Sequence, residues 1–121
     1  MTVPGVEYLY LAQEDLYRFG NSTNPRLDHI RPEDVVVYER NGVSFVQATG
    51  VGISLLTEAG AARRSGWLWR IPKNTSLPSG LALNHNTAAH YFLCPVADMT
   101  MDKYRALLSE LALRCERVRK Q

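Results

Sequence analysis

Two glycines stand just ahead of a serine in the stretch TGVGISLLTEAG, residues 49–60. Such a pattern can cradle a phosphate or simply turn the chain. A dinucleotide fingerprint would need a third glycine at position 55, where Leu55 stands, and a P-loop would need Gly-Lys followed by Ser or Thr. Neither is present. Gly50 and Gly52 are therefore read as backbone that takes a positive φ or comes close to a neighbour, which suits a dinucleotide cleft as well as a turn. Ser54 has two readings: a hydroxyl donor in a site, or the N-cap of a short helix within 54–64 that ends near Gly60.

Other side chains invite chemistry of different kinds. His90 and Cys94 share a strand face at i and i+4, with His85 in the preceding loop. At roughly 3.3 Å per residue they lie about 13 Å apart, too far for a shared metal ion, so no metal site is expected. Arg63, Arg64 and Arg70 could meet nucleic acid or an acidic partner, or form a solvated basic face. Tyr38, Trp67 and Trp69 could sandwich a flat ring or fill a core. Cys94 and Cys115 form no C-x-x-C pair, and a reduced compartment is the expectation.

The elements that must position these groups read mostly as strands. Residues 6–12 read as a strand or short helix, and 1–5 are expected to fray. Residues 14–20 read as a strand, and 21–34, dense in turn formers, as a long loop with room for one helical turn. The β-branched run at 35–39, Asn41-Gly42 and the alternating 43–48 read as a hairpin. Further strands are expected at 67–71, 81–83 and 89–94, the last stopped by Pro95. Thr100 suits an N-cap. Met101, Tyr104, Leu108, Leu111, Cys115 and Val118 follow the spacing of one helical face. That predicts an amphipathic C-terminal helix covering a sheet. The fold class is α+β with a mostly antiparallel sheet.

Composition sets outer bounds. The 121 residues fit a single domain spanning 1–121, with 45% hydrophobic and 21% charged residues, as in a soluble globular protein. A net charge of +2 does not by itself argue for nucleic acid. No secretory leader and no membrane span of roughly 20 apolar residues is read in the chain, so no membrane partner is expected.

An ordered series of short blocks carries a family resemblance. The blocks are Tyr17-Arg18, Gly52-Ile53-Ser54 read as a turn, Ala59-Gly60 leading to Arg63-Arg64, Ile71-Pro72, and Leu77-Pro78. His90-Tyr91, Pro95 and Met101 at the head of the last helix complete the series. In order and spacing the chain resembles the Tse-two-like toxin family, small type VI secretion effectors with an ADP-ribosyltransferase-like fold.

The resemblance implies a bacterial toxin that uses NAD as substrate and transfers ADP-ribose to a macromolecular acceptor in the cytoplasm. Nucleic acid is among the possible acceptors, and a cognate immunity or antitoxin protein would hold the toxin in check. It implies that Arg18, at the end of the first core strand, binds NAD, and that Ser54 shapes the nicotinamide pocket. Tyr17, Gly52, Trp69 and His90 join them as NAD-binding candidates. Transferases of this type place a glutamate ahead of a late strand. This chain has Asn84, His85 and Asn86 there, and these stand as catalytic candidates beside Arg18 and Ser54.

The chemistry asked of these groups is simple. Breaking the nicotinamide bond builds an oxocarbenium-like centre, as at a glycosidic bond. That needs a clamp on the pyrophosphate, a flat pocket and a polar group near the ribose. A guanidinium suits the clamp because it grips phosphate oxygens in pairs. The missing glutamate leaves two other readings open: a toxin of this fold that acts by binding alone, and an RNA-directed enzyme resembling the 2′-phosphotransferases.

Overall fold

The computed structural model describes residues 4–121. The fraying expected of the first three residues lies outside that range. Nine strands and two helices follow in the order β1 (Leu16–Gly20), β2 (Val37–Arg40), β3 (Val43–Val46), β4 (Ile53–Leu56), α1 (Glu58–Ala61), β5 (Trp67–Ile71), β6 (Leu81–Thr87), β7 (His90–Pro95), β8 (Met99–Thr100), α2 (Met101–Ala112) and β9 (Glu116–Lys120). A six-stranded sheet runs β6-β7-β4-β1-β5-β9, and a three-stranded sheet runs β2-β3-β8. The strand pairings among the described residues are all antiparallel. The expected α+β class is what the chain adopts.

Strand alternation sorts the large sheet into two faces. Leu16, Ile53, Leu55, Ile71, Leu83, Tyr91 and Leu93 are buried on one face with Tyr104, Leu108 and Leu111 of α2. Val46 and Met99 of the small sheet close the same core. The opposite face carries a smaller cluster of Tyr17, Ala61 and Leu68, flanked by Phe19, Leu56 and Val118. The sheet is not uniformly zipped. β1 pairs with β5 through five residue pairs but meets β4 in register only at Tyr17–Leu56. Beyond that pair β1 and β4 part.

Tyr104 fixes β4 from below. Its hydroxyl donates to the Leu93 carbonyl at 2.7 Å and accepts from the Ile53 amide at 3.2 Å. Gly52 sits in the same crowded place: a Cβ there would lie 2.0 Å from the Leu93 carbonyl oxygen and 2.8 Å from the Tyr104 hydroxyl. Gly50 supplies the other property expected of this pair, with a φ of +81°. The Asn41-Gly42 hairpin is as expected, with φ of 53° and 77°.

Four local expectations are corrected. The block at 52–54 runs into strand β4, which starts at Ile53, rather than making a turn. Thr57, not Ser54, caps α1, its Oγ1 accepting from the Gly60 amide at 3.2 Å. The segment 6–12 is neither strand nor helix; Leu9 and Leu11 make isolated bridges to Leu83 and Ser76. The helical face read from Met101 to Val118 ends early: α2 stops at Ala112, and Cys115 and Val118 lie beyond it. The chain turns at 113–115 and returns as β9, an edge strand paired with β5. In β9 Val118 turns inward between exposed Arg117 and Arg119, and the charges blunt a sheet edge.

Candidate functional site

A cleft of about 360 Å³ opens where β1 and β4 part, lined by Tyr17, Arg18, Phe19, Arg31, Ser54, Leu56, Arg64 and His90. Four residues singled out from the sequence, Tyr17, Arg18, Ser54 and His90, therefore converge. The pairing explains how. Tyr17 opposes Leu56, and Leu56 opposes His90 across β4 and β7. Directly opposed residues share a face, so all three line the same side.

Arg18 is the pivot of the site. By alternation it starts on the core face beside Trp69, its partner in β5. Its guanidinium enters the gap between the strands and donates to the Ser54 carbonyl at 3.0 Å. It also donates to the carbonyls of His29 at 3.1 Å and Arg26 at 3.4 Å, in the loop 21–34. A guanidinium has five N–H donors; three are so engaged, and two remain. One of these, on Nε, is buried with no partner. Burial pulls the Arg18 pKa below its ordinary value, with Asp34 opposing the shift. A half-buried cation with a buried, unused donor is a costly arrangement unless an anion takes it up.

The other cations differ in how free they are. Arg31 is engaged: its Nη2 donates to Asp34 Oδ1 at 3.0 Å, and its own amide donates to Oδ2 at 2.9 Å. That pairing raises the Arg31 pKa. Arg64 has no ion-pair partner among the described residues. The cleft lining holds three arginines and no carboxylate among the described residues. Its field therefore favours an anion.

His90 closes the far side. Its Nδ1 lies 2.5 Å from Asn86 Oδ1, and its ring meets the Phe92 ring edge-on at 4.9 Å. With the Asn86 oxygen as acceptor, Nδ1 carries the proton and Nε2 keeps its lone pair. Burial, then the charge of Arg64, lowers the His90 pKa, so the neutral ring is favoured near pH 7.

The remaining candidates sit elsewhere. Asn84 and His85 line a separate cavity of about 480 Å³ with Gly5, Val6, Glu7 and Leu9. Asn84 donates to the Gly50 carbonyl at 2.7 Å, and His85 stacks on Tyr91 at 4.0 Å. Asn86 reaches the cleft only through His90. Trp69 pins the loop 21–34, its indole N–H donating to the Asn21 carbonyl at 2.8 Å. Gly52 does not line the cleft; it lets β4 approach Leu93 and Tyr104. Among the described residues no group of three His, Cys, Asp or Glu is gathered for a metal ion, and no helix is long and apolar enough to cross a membrane.

Phe19, Arg31 and Leu56 were not singled out from the sequence, and Arg64 entered as part of a basic face and of a family block but not as a cleft residue. Phe19 and Leu56 carry no signal beyond strand alternation. Arg31 and Arg64 come into the cleft through the loop 21–34 and the segment after α1, whose paths the sequence does not reveal.

A model of the Tse2 ADP-ribosyltransferase toxin family matches residues 8–120. No curated protein and no solved structure matches the chain.

Proposed function

The chain belongs to the Tse2 ADP-ribosyltransferase toxin family, a family of bacterial ADP-ribosylating toxins, and from that premise we propose that it uses NAD as substrate in the cleft between β1 and β4. Its α+β, mostly antiparallel architecture agrees with the ADP-ribosyltransferase-like fold of that family. The observation that carries the reading is Arg18: a half-buried guanidinium whose buried Nε–H has no partner, in a cleft with two further arginines and no carboxylate among the described residues.

The division of work follows from the chemistry of each group. Arg18 and unpaired Arg64 suit the two phosphates of a dinucleotide, since charge-assisted bonds to phosphate are the strong ones. Phe19 and Leu56 offer an apolar wall, and the Ser54 hydroxyl, relieved of any capping duty, suits the carboxamide or a ribose oxygen. Scission of the nicotinamide bond supplies the ADP-ribosyl group; the chain's part is to hold and orient the pieces. The proposal extends to a macromolecular acceptor in the cytoplasm and to an immunity or antitoxin protein that restrains the toxin. Gly52 and Trp69 support the site from outside the lining, and Asn84 and His85 have no part in it.

Growth arrest is the direct test. Expression of the chain is expected to arrest bacterial growth, and Arg18→Ala, shown folded by its thermal melt, is expected to relieve the arrest. Undiminished arrest by that folded variant would contradict the assignment. The lack of a carboxylate in the cleft among the described residues favours one other reading, a toxin that acts by binding alone. In that case arrest would persist after Arg18, Ser54 and Arg64 are all replaced.

A further inference from the structure

On the reading of the cleft as an NAD site, we propose that His90 is the general base of the transfer step, oriented by Asn86, and that the acceptor is a hydroxyl group. The cleft needs a proton acceptor if the nucleophile is protic, and its lining offers no carboxylate among the described residues. The imidazole is the one lining group with a free lone pair of useful basicity; the Ser54 and Tyr17 hydroxyls are far weaker bases. Asn86 fixes the ring. Its oxygen accepts a hydrogen bond from Nδ1–H, a tautomer that leaves Nε2 as the basic atom, and the edge-on Phe92 ring packs beside the imidazole.

The charged and titratable groups that share the cleft with His90 are Arg18 from β1, Arg31 from the loop 21–34, Arg64 from beyond α1, and the Tyr17 phenol. From β4 it meets Leu56, and from β6 Thr87 and Asn86. All the charges are positive, and Arg64, after burial itself, disfavours the imidazolium and keeps the base free. The same charges oppose a guanidinium or ammonium acceptor entering the cleft. A hydroxyl carries no such penalty and has a proton to lose.

The step balances without a further reagent. The bond between the ribose anomeric carbon and the nicotinamide nitrogen breaks, and its electron pair leaves with nicotinamide. A lone pair of the acceptor oxygen forms the new bond to that carbon. The acceptor's proton passes to His90 Nε2 and then to solvent. Asn86 touches neither reactant, so it is a positioning residue.

The test follows label from NAD, marked in its adenylate part, into macromolecules of a bacterial lysate, with the full chain, His90→Gln and Asn86→Asp. Thermal melts establish that each variant is folded. His90→Gln is expected to lower the rate at saturating NAD by about 100-fold or more, the scale of general-base catalysis. The NAD concentration for half-maximal rate should move little. The unmodified chain should lose rate as the pH falls through an inflection below the ordinary histidine value of about 6.5. Asn86→Asp places a carboxylate against Nδ1, stabilises the imidazolium and should move that inflection upward by about 1 unit or more. An inflection belonging to a group other than His90 would not move.

A His90→Gln rate within threefold of the unmodified chain would overturn the assignment, as would an inflection unmoved by Asn86→Asp. Label found on arginine side chains would overturn the hydroxyl acceptor. Equilibrium dialysis of labelled NAD separates the two levels of the argument. A chain that binds NAD but fails these tests loses only the base, whereas a chain that binds no NAD loses the function on which the base rests.

Discussion

At the scale of single residues the account rests on the shape of a guanidinium as well as its charge. Arg18 holds three carbonyls of two segments and keeps two donors in reserve. Lysine would restore the charge but not the planar fork. Arg18→Lys is therefore expected to fall well short of the parent, losing about tenfold or more in label transfer on the scale of one lost charge-assisted bond. Equal transfer by the two would mean that Arg18 acts only as a point charge. The two cysteines make a contrasting case. Burial pushes Cys94 up to about 11 and Cys115 up to about 12. Both stay protonated at pH 8, and the thiolate is the nucleophile. A disulfide-exchange reagent should label Cys94, fully buried, only as fast as the chain opens. Stoichiometric labelling of it within minutes under native conditions would contradict that placement. Much of the residue scale was legible in the sequence: Tyr17, Arg18, Ser54 and His90 do gather around one cleft. Asn84 and His85 were not separable from Asn86, because a register shift between His85 and Thr87 decides which side chain reaches His90.

At the scale of elements the site depends on how β4 is held. Tyr104 of α2 inserts its hydroxyl between the Ile53 amide and the Leu93 carbonyl. Tyr104→Phe keeps the ring and strands both backbone groups in a dry core. It is expected to lower the free energy of unfolding by about 1–3 kcal/mol, the usual penalty for an unsatisfied buried group, measured by urea titration. An unchanged midpoint would show that the hydroxyl does not brace β4. Gly52→Ala should be at least as harmful, because the clash is with backbone that cannot swing away. The hairpin at Asn41-Gly42 and the start of α2 were plain from local chemistry, a pair of positive-φ residues and the Thr100 cap. The end of α2 was not. ERVRK continues the apolar spacing of the helix as well as it alternates for a strand. What decides for β9 is the open edge of β5, with Arg70 meeting Glu116 at 2.9 Å. That partner lies about forty-six positions earlier in the chain, outside any local window. The capping reading of Ser54 fails for a related reason: Ser54 and Thr57 each suit the start of a helix, and only the pairing of β4 with β7 shows that the helix begins later.

At the scale of the whole molecule, the net charge of +2 hides a local asymmetry. The cations that matter lie together in one cleft, on β1, in the loop 21–34 and after α1. That clustering, with a sheet whose middle joint is a single residue pair, makes a place where an anionic dinucleotide can enter between strands. The central claim is that the cleft turns over NAD through Arg18. The most direct measurement is to incubate the purified chain with NAD labelled in its adenylate part and a bacterial lysate, beside folded Arg18→Ala. The account predicts label on a macromolecule with release of nicotinamide, and neither with the variant. A folded, toxic sample that transfers no label and frees no ADP-ribose would contradict it.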